Sequence, residues 1–503
     1  MRDLQTEPLY KIEDLGAAIP DVHHACSVCF PTWQSVIDYE EGREKVTRAL
    51  EAGYPRFVFH PDVAALNAKI CDELAAPDQQ AMVFPFRVAA QRAQRFLERQ
   101  LSDALEIKSF KDAFVLLYPE GVAAQAKLYW RYSGEGISSR QAKRLLDTQH
   151  ISPLEEPIIE VEESETPPKK SGRDRLAEFY HTPPETLHLW QSGMTAIYQT
   201  HRYVVSNRLG KKTLQIDFPY VDCMRVQQSF GAGVVFLADS RGEDLKIALE
   251  RIINREFAAV YTEVPSNPLL KCPPIAEIAK ACRTSQTPFI IDDTVASHYN
   301  VDVLDYADVV TTSLTKWVSG KGDVMAGATR INPESPFANE FIQFFNEQIE
   351  NGSSLYCEDE ETLLRNIEGF ETRMEKVNKS GEAVADFLKE HPLVKRVYYP
   401  KYNETANFEA IKTSKGGYGG LLSIELKNSR KAPAFYDALP LTKGPSLGTE
   451  FTLVSPYTML AHYDELEWAE LHEVSQNLIR FSIGTEPSEQ IIAALTTAFD
   501  EIA

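Results

Sequence analysis

The lysine in TTSLTKWVSGKGDVMAG, residues 311–327, is the side chain best suited to covalent chemistry. The run predicts a strand that ends near Ser313, Thr315 and Lys316 and is followed by glycine-rich sequence. Hydroxyls and backbone N–H groups hold phosphates, and a neighbouring cation favours the neutral, nucleophilic form of a lysine. We predict that Lys316 forms a Schiff base beside a bound phosphate; for this motif alone, a surface lysine is the alternative.

An aspartate closes the apolar run PFIIDDT, residues 288–294. A carboxylate at the end of a buried strand is costly unless a cation accompanies it. A pyridinium nitrogen is such a partner, and the ion pair makes the aromatic ring a better electron sink. We predict this role for Asp292; the alternative is a helix N-cap, a role that the adjacent Asp293 could also fill.

A second phosphate signal lies in LWQSGMTAIYQTHRYV, residues 189–204. A Ser-Gly-Met turn there precedes a run with helical apolar spacing. The exposed N–H groups and the dipole of a helix start attract a phosphate, so Gly193 and Met194 are candidate phosphate ligands. Alone, such a turn predicts only the start of a helix.

These residues need a common scaffold, and the surrounding sequence predicts one. Three β-rich runs alternate with helical sequence: FAAVYTEV, PFIIDDT and ADVVTTS, with the helical IAEIAKACR between the first two. This pattern is typical of a parallel sheet covered by helices, which binds ligands at the carboxyl ends of its strands. Glu263, Asp292 and Ser313 stand at those ends.

The composition excludes several classes of protein. The chain has 503 residues, with 52 Lys and Arg against 73 Asp and Glu, a net charge of −21. The acidic balance argues against nucleic-acid binding, and no run approaches the roughly 20 apolar residues of a membrane span. The N-terminus shows no secretory or transit signal, and the 7 scattered cysteines do not fit a complete disulfide framework. We therefore expect a cytoplasmic protein with small-molecule partners.

Together, the order of these motifs resembles the Cys/Met-metabolism family of pyridoxal phosphate (PLP) enzymes, and most closely its fungal cystathionine γ-synthase type. The resemblance covers about residues 125–500. It implies an α/β fold of the aspartate aminotransferase-like type (fold type I), with a parallel-rich central sheet and a smaller C-terminal α+β domain. It also implies pyridoxal 5'-phosphate as cofactor and amino acids as substrates.

The expected domains are an N-terminal extension of unknown role, a PLP-binding domain and a C-terminal domain, at residues 1–125, 126–385 and 386–503. The segment ISPLEEPIIEVEESETPPKKSG, residues 151–172, is acidic and proline-rich and predicts an insertion or linker. An independent interaction module remains an alternative for residues 1–125.

The resemblance assigns the cofactor contacts residue by residue. Lys316 would hold PLP covalently, and Asp292 would pair with its pyridine nitrogen. Tyr220, in DFPYVDCMR, would stack on the ring and could assist acid–base chemistry. The phosphate would be held by Gly193, Met194, Ser313 and Thr315.

Further positions match the family's substrate-binding motifs. Glu263 and Asn267 fall on its ESPSNP motif, here EVPSNP, which places Asn267 near the cofactor and substrate. Arg480, in LIRFSIGTE, would bind the substrate α-carboxylate through a bidentate fork, with a strand-edge ion pair as the alternative. Ser446, in PSLGTEF, would support that carboxylate.

The family's Tyr-x-Arg motif matches Tyr129 and Arg131 in YWRYSGEGISSR. These two would reach the phosphate of a neighbouring subunit, which implies a homodimer or homotetramer with a shared active site. The Asn-Pro-Thr that usually follows is absent. In another register the pair would be Tyr132 and Arg140, and a purely structural role is an open alternative for Tyr129 and Arg131.

Two segments depart from the family or invite another interpretation. In SLGTEFTLVSPYTMLAHY, either Glu450 or Phe451 could occupy a glutamate position near the substrate side chain, and His462 could be a catalytic or a packed histidine. In HHACSVC, residues 23–29, the four candidate zinc ligands His23, His24, Cys26 and Cys29 lack a second pair at finger-like spacing. We expect packed thiols and no metal there.

The expected activity is γ-replacement on an O-acyl-L-homoserine. Lys316 would take the Cα proton, the γ-ester would leave, and the thiol of cysteine would add at Cγ to give cystathionine. The alternatives are sulfide or the enolate carbon of a β-keto acid as nucleophile, or a γ-lyase. A non-catalytic relative that assembles with an active partner is disfavoured because Lys316 and Asp292 are both present.

Overall fold

The computed structural model describes residues 2–53, 57–99, 101, 105–148 and 171–503. The predicted acidic insertion at 151–172 lies outside these residues, apart from its last two, which begin a helix. The other predicted regions can all be followed in the structure.

The first segment, residues 2–53, packs on the far end of the chain. Val28, Phe30 and Trp33 share an apolar cluster with C-terminal residues such as Tyr436 and Phe481. Residues 2–53 therefore pack into the core of the C-terminal part of the molecule. Their elements are β1 (Ala18–Ile19), β2 (Ser27–Val28), α1 (Trp33–Glu40) and α2 (Glu44–Thr47).

Residues 57–148 form a small three-stranded antiparallel sheet with helices. The strand order is β3-β5-β4, and the apolar faces of the helices cover the sheet. The elements are α3 (Pro61–Leu74), β3 (Gln79–Phe84), α4 (Arg87–Glu98), β4 (Glu106–Phe110), β5 (Ala113–Pro119), α5 (Ala123–Ser133) and α6 (Ser139–Asp147). Helix α6 packs on α3, while the domain boundary placed at residue 125 remains a prediction.

The central layer is a seven-stranded mixed sheet between helices. Its strands come in the order β6-β12-β11-β10-β9-β7-β8. The elements are α7 (Gly172–Tyr180), β6 (Leu187–Trp190), α8 (Gly193–Asn207), β7 (Thr213–Ile216), α9 (Val221–Ser229), β8 (Val234–Leu237), α10 (Gly242–Ile253), β9 (Val260–Glu263), α11 (Ile275–Ser285), β10 (Phe289–Asp292), α12 (Ser297–Asn300), β11 (Val309–Ser313), β12 (Gly327–Ile331), α13 (Ala338–Glu350), α14 (Cys357–Asn366) and α15 (Phe370–Glu390).

The parallel core of this sheet is the scaffold predicted from the three apolar runs. Strands β9, β10 and β11 lie side by side and parallel, with α11 between the first two in sequence. They are buried on both faces, which explains why they are continuous apolar runs rather than alternating ones. Strand β12, which the sequence analysis did not predict, pairs antiparallel with both β11 and β6.

Helices α14 and α15 are separated by a break at Gly369. Helix α14 ends before Gly369, which has φ +72° in the left-handed region, and α15 starts immediately after it. Glycine adopts this conformation without the steric cost that a Cβ imposes.

The C-terminal part contains a five-stranded mixed sheet, in the order β13-β14-β17-β16-β15. Its elements are β13 (Val394–Tyr398), α16 (Thr405–Glu409), β14 (Leu421–Leu426), α17 (Ala432–Ala438), β15 (Thr442–Lys443), β16 (Leu453–Pro456), α18 (Tyr457–Ala461), α19 (Leu466–Leu471), β17 (Ile479–Ser482) and α20 (Ser488–Ile502). The predicted fold class, a parallel-rich sheet with a C-terminal α+β part, is confirmed. None of the helices in the described ranges has the length and apolar character that a bilayer crossing requires.

Candidate active site

A cavity at the carboxyl ends of β9, β10 and β11 brings together most of the predicted site residues. We call it the strand-end chamber; its empty volume is about 860 Å³. The start of α8 and the loop before β16 complete its walls. The predicted residues that line it are Gly193, Met194, Tyr220, Glu263, Asn267, Asp292, Ser313, Thr315, Lys316 and Arg480.

Lys316 reaches this chamber from the turn that follows β11. Its Nζ donates a hydrogen bond to Ser446 Oγ at 2.9 Å. Gly448, with φ +78°, lies so close that an added Cβ would be 2.9 Å from the Lys316 Cα. The loop of residues 445–448 therefore packs directly on the lysine backbone and positions Ser446 at its amine.

Two buried carboxyl groups face the chamber from adjacent strands. Asp292 Oδ1 accepts from the Thr294 N–H at 2.9 Å, and its Oδ2 accepts from Thr311 Oγ1 at 2.8 Å. Burial raises the pKa of Asp292 to about 6. Burial and the neighbouring Asp292 raise the pKa of Glu263 well above its usual value. A cation beside Asp292 would relieve the cost of keeping it ionised.

The start of α8 and the end of β11 form a cradle suited to an anion. Ser192 caps α8 by accepting from Thr195 N at 3.1 Å. A Cβ on Gly193 would lie 2.7 Å from the Ser313 Cβ, so only glycine lets the helix start approach the strand end this closely. The unpaired N–H groups of the first helical turn and the hydroxyls of Ser313 and Thr315 then meet at one wall of the chamber.

Arg480 lies on β17 of the five-stranded C-terminal sheet and lines the strand-end chamber. Its side chain donates to Asn267 Oδ1 at 3.2 Å, to Pro445 O at 2.7 Å and to Ser446 O at 3.1 Å. The residue is only 4% exposed. A guanidinium that lines the chamber is a side chain suited to binding a carboxylate at two points.

Comparison with known proteins shows where this arrangement belongs. A sequence model described as "Cys/Met metabolism PLP-dependent enzyme" matches residues 147–500, and one described as "Fungal trans-sulfuration enzyme, N-terminal domain" matches residues 62–138. The chain belongs to the Cys/Met-metabolism family of PLP-dependent enzymes. Residues 62–125, to which the sequence analysis gave no role, thus match part of a domain of the fungal enzymes, and the match continues through Tyr129 and Arg131 to residue 138.

Individual relatives match this chain over nearly its whole length, but their names give different activities. Cystathionine gamma-synthase of Neurospora crassa is 32% identical over 96% of this chain and 98% of its own length. An L-2-amino-4-chloropent-4-enoate dechlorinase/desaturase of Streptantibioticus cattleyicolor is 30% identical over 96% of this chain and 97% of its own. The structure of cystathionine gamma-lyase from Lactobacillus plantarum, complexed with L-serine, is 25% identical, with a TM-score of 0.57 over 66% of this chain and 85% of that one. The chain is a PLP-dependent enzyme of the cystathionine γ-synthase type.

The chamber fits the cofactor of this family. A buried carboxylate whose pKa burial raises, Asp292, suits a pyridine nitrogen that carries a proton. The start of α8 with Ser313 and Thr315 suits the phosphate. Lys316 brings an amine to the same chamber. Lys316, Asp292, Gly193, Met194, Ser313 and Thr315, all predicted from the sequence, line the chamber and are the residues that would hold PLP there. Tyr129 and Arg131, also predicted as cofactor contacts, do not line it, and all the individual roles remain predictions.

Tyr220 lies at the rim of the chamber beside the buried Asp222. The Tyr220 hydroxyl donates to Asp222 Oδ2 at 3.1 Å, and Arg131 from α5 pairs with Asp222 Oδ1 at 2.9 Å. Arg131 does not line the chamber; it reaches the chamber's edge through Asp222, within its own chain. Its predicted contact with a neighbouring subunit's phosphate stays a prediction.

Tyr129 is placed differently from the prediction. Its ring is 1% exposed in an apolar cluster, and its hydroxyl donates to Glu135 Oε2 at 2.6 Å. Glu135 is fully buried and is also paired with Arg92 and bonded by Gln199. The buried carboxylate needs these donors, so Tyr129 serves the interior and is not available at the surface for a second subunit. This geometry favours the alternative of a purely structural role for Tyr129.

The alternative register, Tyr132 with Arg140, is not a pair in the structure either. Arg140 lies in a second cavity beside the strand-end chamber, where it binds Asp359 at 2.8 Å. Tyr132 is half-buried near Arg131.

The segment after Ser446 does not bring an acid to Lys316. Glu450 pairs with Lys321 at 2.5 Å, and Phe451 is buried in a cluster with Leu9 and Ile19. His462 is 2% exposed and bonds to Glu465 at 2.8 Å among aromatic rings. These three residues do not line the strand-end chamber. Of the two roles considered for His462, the geometry favours that of a packed histidine.

The HHACSVC segment does not bring its histidines and cysteines together as one ligand set. Cys26 lines the strand-end chamber, and Cys29 donates to Leu9 O at 3.5 Å. His23 pairs with Asp62 at 2.7 Å, and His24 bonds to Ser139 at 3.0 Å. The ligand atoms of His23, His24 and Asp62 lie within 4.8 Å of one another, without a cysteine.

Cys26, Cys223 and Thr294 also line the strand-end chamber, and the sequence analysis assigned them no part in it. The Thr294 hydroxyl accepts from the Ser313 N–H at 2.8 Å and so ties the end of β11 to the Asp292 loop. Its position two residues after a strand-end aspartate was an available signal. For Cys26, no local signal in the sequence indicated the chamber.

Proposed function

We propose that this enzyme catalyses γ-replacement on an O-acyl-L-homoserine with the thiol of cysteine as nucleophile. The observation that carries the proposal is the shared contact of Lys316 and Arg480 with Ser446. The Lys316 amine binds the serine hydroxyl at 2.9 Å, and the Arg480 guanidinium binds the backbone oxygen of the same residue at 3.1 Å. An α-carboxylate bound at Arg480 would therefore present its Cα next to the amine.

The site residues of the chain have the following roles in this proposal. Arg480 orients the substrate through its α-carboxylate, and Asn267 holds the guanidinium in position. When bound, PLP supplies an electron sink that stabilises negative charge at Cα. Lys316 takes the Cα proton, and a Cβ proton leaves next.

With those protons removed, the γ-acyloxy group leaves as a carboxylate. The thiol loses its proton and adds at Cγ, and the carbons regain the protons they lost. Tyr220 is a candidate acid–base helper because its hydroxyl is held at the chamber's rim by Asp222. The balanced exchange gives cystathionine and the free acid.

A different nucleophile, or none, is the second candidate. Glu450 and Phe451 lie outside the strand-end chamber, and the relative from Streptantibioticus cattleyicolor has a dechlorinase/desaturase activity. Sulfide or a β-keto acid enolate would give a γ-substitution with another product, and a γ-lyase would release a keto acid.

A panel of reactions tests these proposals. O-acetyl- and O-succinyl-L-homoserine are each incubated with L-cysteine, sulfide, a β-keto acid or no nucleophile. We expect cystathionine from one ester with cysteine. Keto-acid release without an added nucleophile would favour the lyase, and a failure to form cystathionine with either ester would refute the first proposal.

We further propose that the enzyme is a homodimer or homotetramer in the cytoplasm. The resemblance to the family supports the oligomer, although the burial of Tyr129 removes one of the two residues predicted to be shared. Light scattering of the purified protein measures the oligomeric state, and a monomer with full activity would refute a shared site.

A further inference from the structure

A second cavity adjoins the strand-end chamber and is assigned to no step so far. We call it the side chamber; its empty volume is about 890 Å³, part of it open to solvent. Cys26, Ser192 and Met325 line both chambers, so the two cavities share a wall. The remaining walls come from residues between 58 and 141, from the region around α14, and from His24, Ala25, Gly53, Gln191 and Asp323.

The side chamber contains buried polar atoms that lack partners. Both the Nε2 and the Oε1 of Gln191 are buried without a hydrogen-bond partner among the described residues, and Asp359 Oδ2 has no partner there at full hydrogen-bond geometry. Burial raises the pKa of Asp359, while Arg140 and the nearby Ser138 hydroxyl lower it. Asp359 is 2% exposed. An unsatisfied buried polar group costs about 1–3 kcal/mol, so these are the atoms at which a molecule bound in this cavity would gain hydrogen bonds.

These atoms include both hydrogen-bond acceptors and a hydrogen-bond donor. Asp359 Oδ2 and Gln191 Oε1 accept hydrogen bonds, and Gln191 Nε2 donates them. Arg140 adds a positive charge: it donates to Asp359 Oδ1 and to Asp323 O, both at 2.8 Å, and its guanidinium has further N–H groups. The cavity thus offers a carboxylate, a guanidinium and an amide.

The charges select the class of ligand. A dianion would meet the carboxylates of Asp359 and Asp323, and a simple cation would meet Arg140. Burial lowers the pKa of His24 to about 4, with a further contribution from Arg140, so this imidazole adds no charge near pH 7. A zwitterion satisfies both signs at once.

We propose that the side chamber binds a free α-amino acid, with its ammonium at Asp359 Oδ2 and its carboxylate at Arg140 and Gln191 Nε2. This assignment rests on the proposed γ-replacement. The bound amino acid is the nucleophile, and the wall shared by the two chambers lies between it and the substrate carbon. The wall residues Cys26 and Met325 then lie where the thiol passes into the strand-end chamber.

The test begins with direct binding. PLP-loaded protein is reduced with borohydride, which fixes the cofactor to its lysine and prevents its reaction with added amino acids. L-Serine, an isostere of cysteine, is then titrated by calorimetry into the wild type, Gln191→Leu, Asp359→Asn and Arg480→Ala. We expect Gln191→Leu and Asp359→Asn to weaken binding by about tenfold or more, and Arg480→Ala to retain a binding site for L-serine.

Matched controls separate this effect from damage to the fold. Gln125 on α5 also has a buried, unpaired Oε1 but lines neither chamber, so Gln125→Leu should bind L-serine as the wild type does. Because the Gln191 amide has no partners to lose among the described residues, Gln191→Leu should unfold at the same temperature as the wild type or higher. N-Acetyl-L-serine and L-serine methyl ester, which each carry one of the two charges, should bind more weakly than L-serine.

Two results would overturn the inference. One is wild-type affinity for L-serine in both Gln191→Leu and Asp359→Asn. The other is loss of PLP from these variants on dialysis before reduction, with L-serine affinity unchanged, which would assign the chamber to the cofactor's phosphate.

A kinetic arm keeps the inference distinct from the proposed function. In turnover with an O-acyl-homoserine, Gln191→Leu should raise the KM for L-cysteine about tenfold and leave the KM for the ester unchanged. If no ester reacts with the wild type, the proposed function fails while the binding result still decides whether the amino-acid site exists. If the esters react and the KM for cysteine does not change, the role as nucleophile site is refuted.

Discussion

Asp292 and Glu263 are register partners on the adjacent parallel strands β10 and β9, and both line the strand-end chamber. Glu263 Oε1 accepts from the Tyr220 N–H at 2.6 Å, and its Oε2 is buried without a partner among the described residues. Two neighbouring buried carboxyls do not both ionise readily. Burial and the neighbouring Asp292 raise the pKa of Glu263, which favours its protonated form, and we expect Asp292 to be the carboxylate that a ring cation accompanies.

The first prediction concerns the pH dependence of stability without cofactor. Burial raises the folded-state pKa of Asp292 from 3.8 to about 6. The folded state therefore holds this proton more tightly than the unfolded state, and the resulting stabilisation is present below pH 3.8 and is lost as the pH rises through 6. Asp292→Asn removes this dependence, and an asparagine can still bond to both Thr294 and Thr311.

Urea unfolding of the cofactor-free wild type and Asp292→Asn measures this effect. We expect the variant to gain about 2 kcal/mol relative to the wild type between pH 4.5 and pH 7.5. With PLP bound, the wild type should recover the difference because the ring cation pairs with Asp292. A stability difference that is constant across this pH range would contradict the prediction.

The second prediction concerns covalent attachment of the cofactor. Wild-type protein should show a visible PLP absorption band, and borohydride should leave the cofactor attached to the peptide that contains Lys316. In Lys316→Ala the cofactor should be removed by dialysis after the same treatment. Lys321→Ala is the matched control, because Lys321 pairs with Glu450 outside the chamber. Label on another lysine in the wild type would disprove the assignment.

Much of this site follows from one rule about parallel sheets. Glu263, Asp292 and Ser313 end strands that lie parallel, so their chain order alone indicated a common edge. Cys26 could not be found in this way, because it comes from a segment almost 300 residues before Lys316, and only the packing of residues 2–53 on the C-terminal part brings it there.

Tyr129 shows a different limit of the sequence. A Tyr-x-Arg motif matches by residue type, but the role of the tyrosine depends on whether a buried acid lies within reach. Glu135 is six residues away and fully buried, and it takes the Tyr129 hydroxyl. No pattern in the sequence indicates that this glutamate is buried, since its donors Arg92 and Gln199 come from two other helices.

The third prediction concerns substrate binding at Arg480. Arg480→Lys keeps the charge but loses the planar fork that binds a carboxylate at two points. We expect the KM for the O-acyl-homoserine to rise about 10- to 100-fold, with the PLP absorption band unchanged. Arg396→Lys, at an exposed position of the same sheet, should leave the KM unaltered. A lower kcat with an unchanged KM for Arg480→Lys would show that the arginine does not bind the ground-state carboxylate.

The last prediction concerns Phe30, through which residues 2–53 pack on the C-terminal part of the chain. The residue is 0% exposed, its backbone oxygen accepts from Tyr436 Oη at 2.7 Å, and its N–H donates to Lys443 O at 3.1 Å. Phe30→Ala should cost about 3–5 kcal/mol of unfolding free energy, and Phe30→Leu should cost clearly less because it keeps most of the buried volume.

The same variant tests whether this segment belongs to the active site. His24 and Cys26 precede Phe30 directly and line the side chamber, and Cys26 lines the strand-end chamber as well. Loosening Phe30 should therefore lower kcat/KM even where the protein is still folded, while Phe110→Ala, in the separate sheet of residues 57–148, should not. Full activity in a folded Phe30→Ala would mean that the N-terminal segment covers the chambers without shaping them. A lower kcat/KM in folded Phe30→Ala would show that residues 2–53 help to shape the catalytic centre.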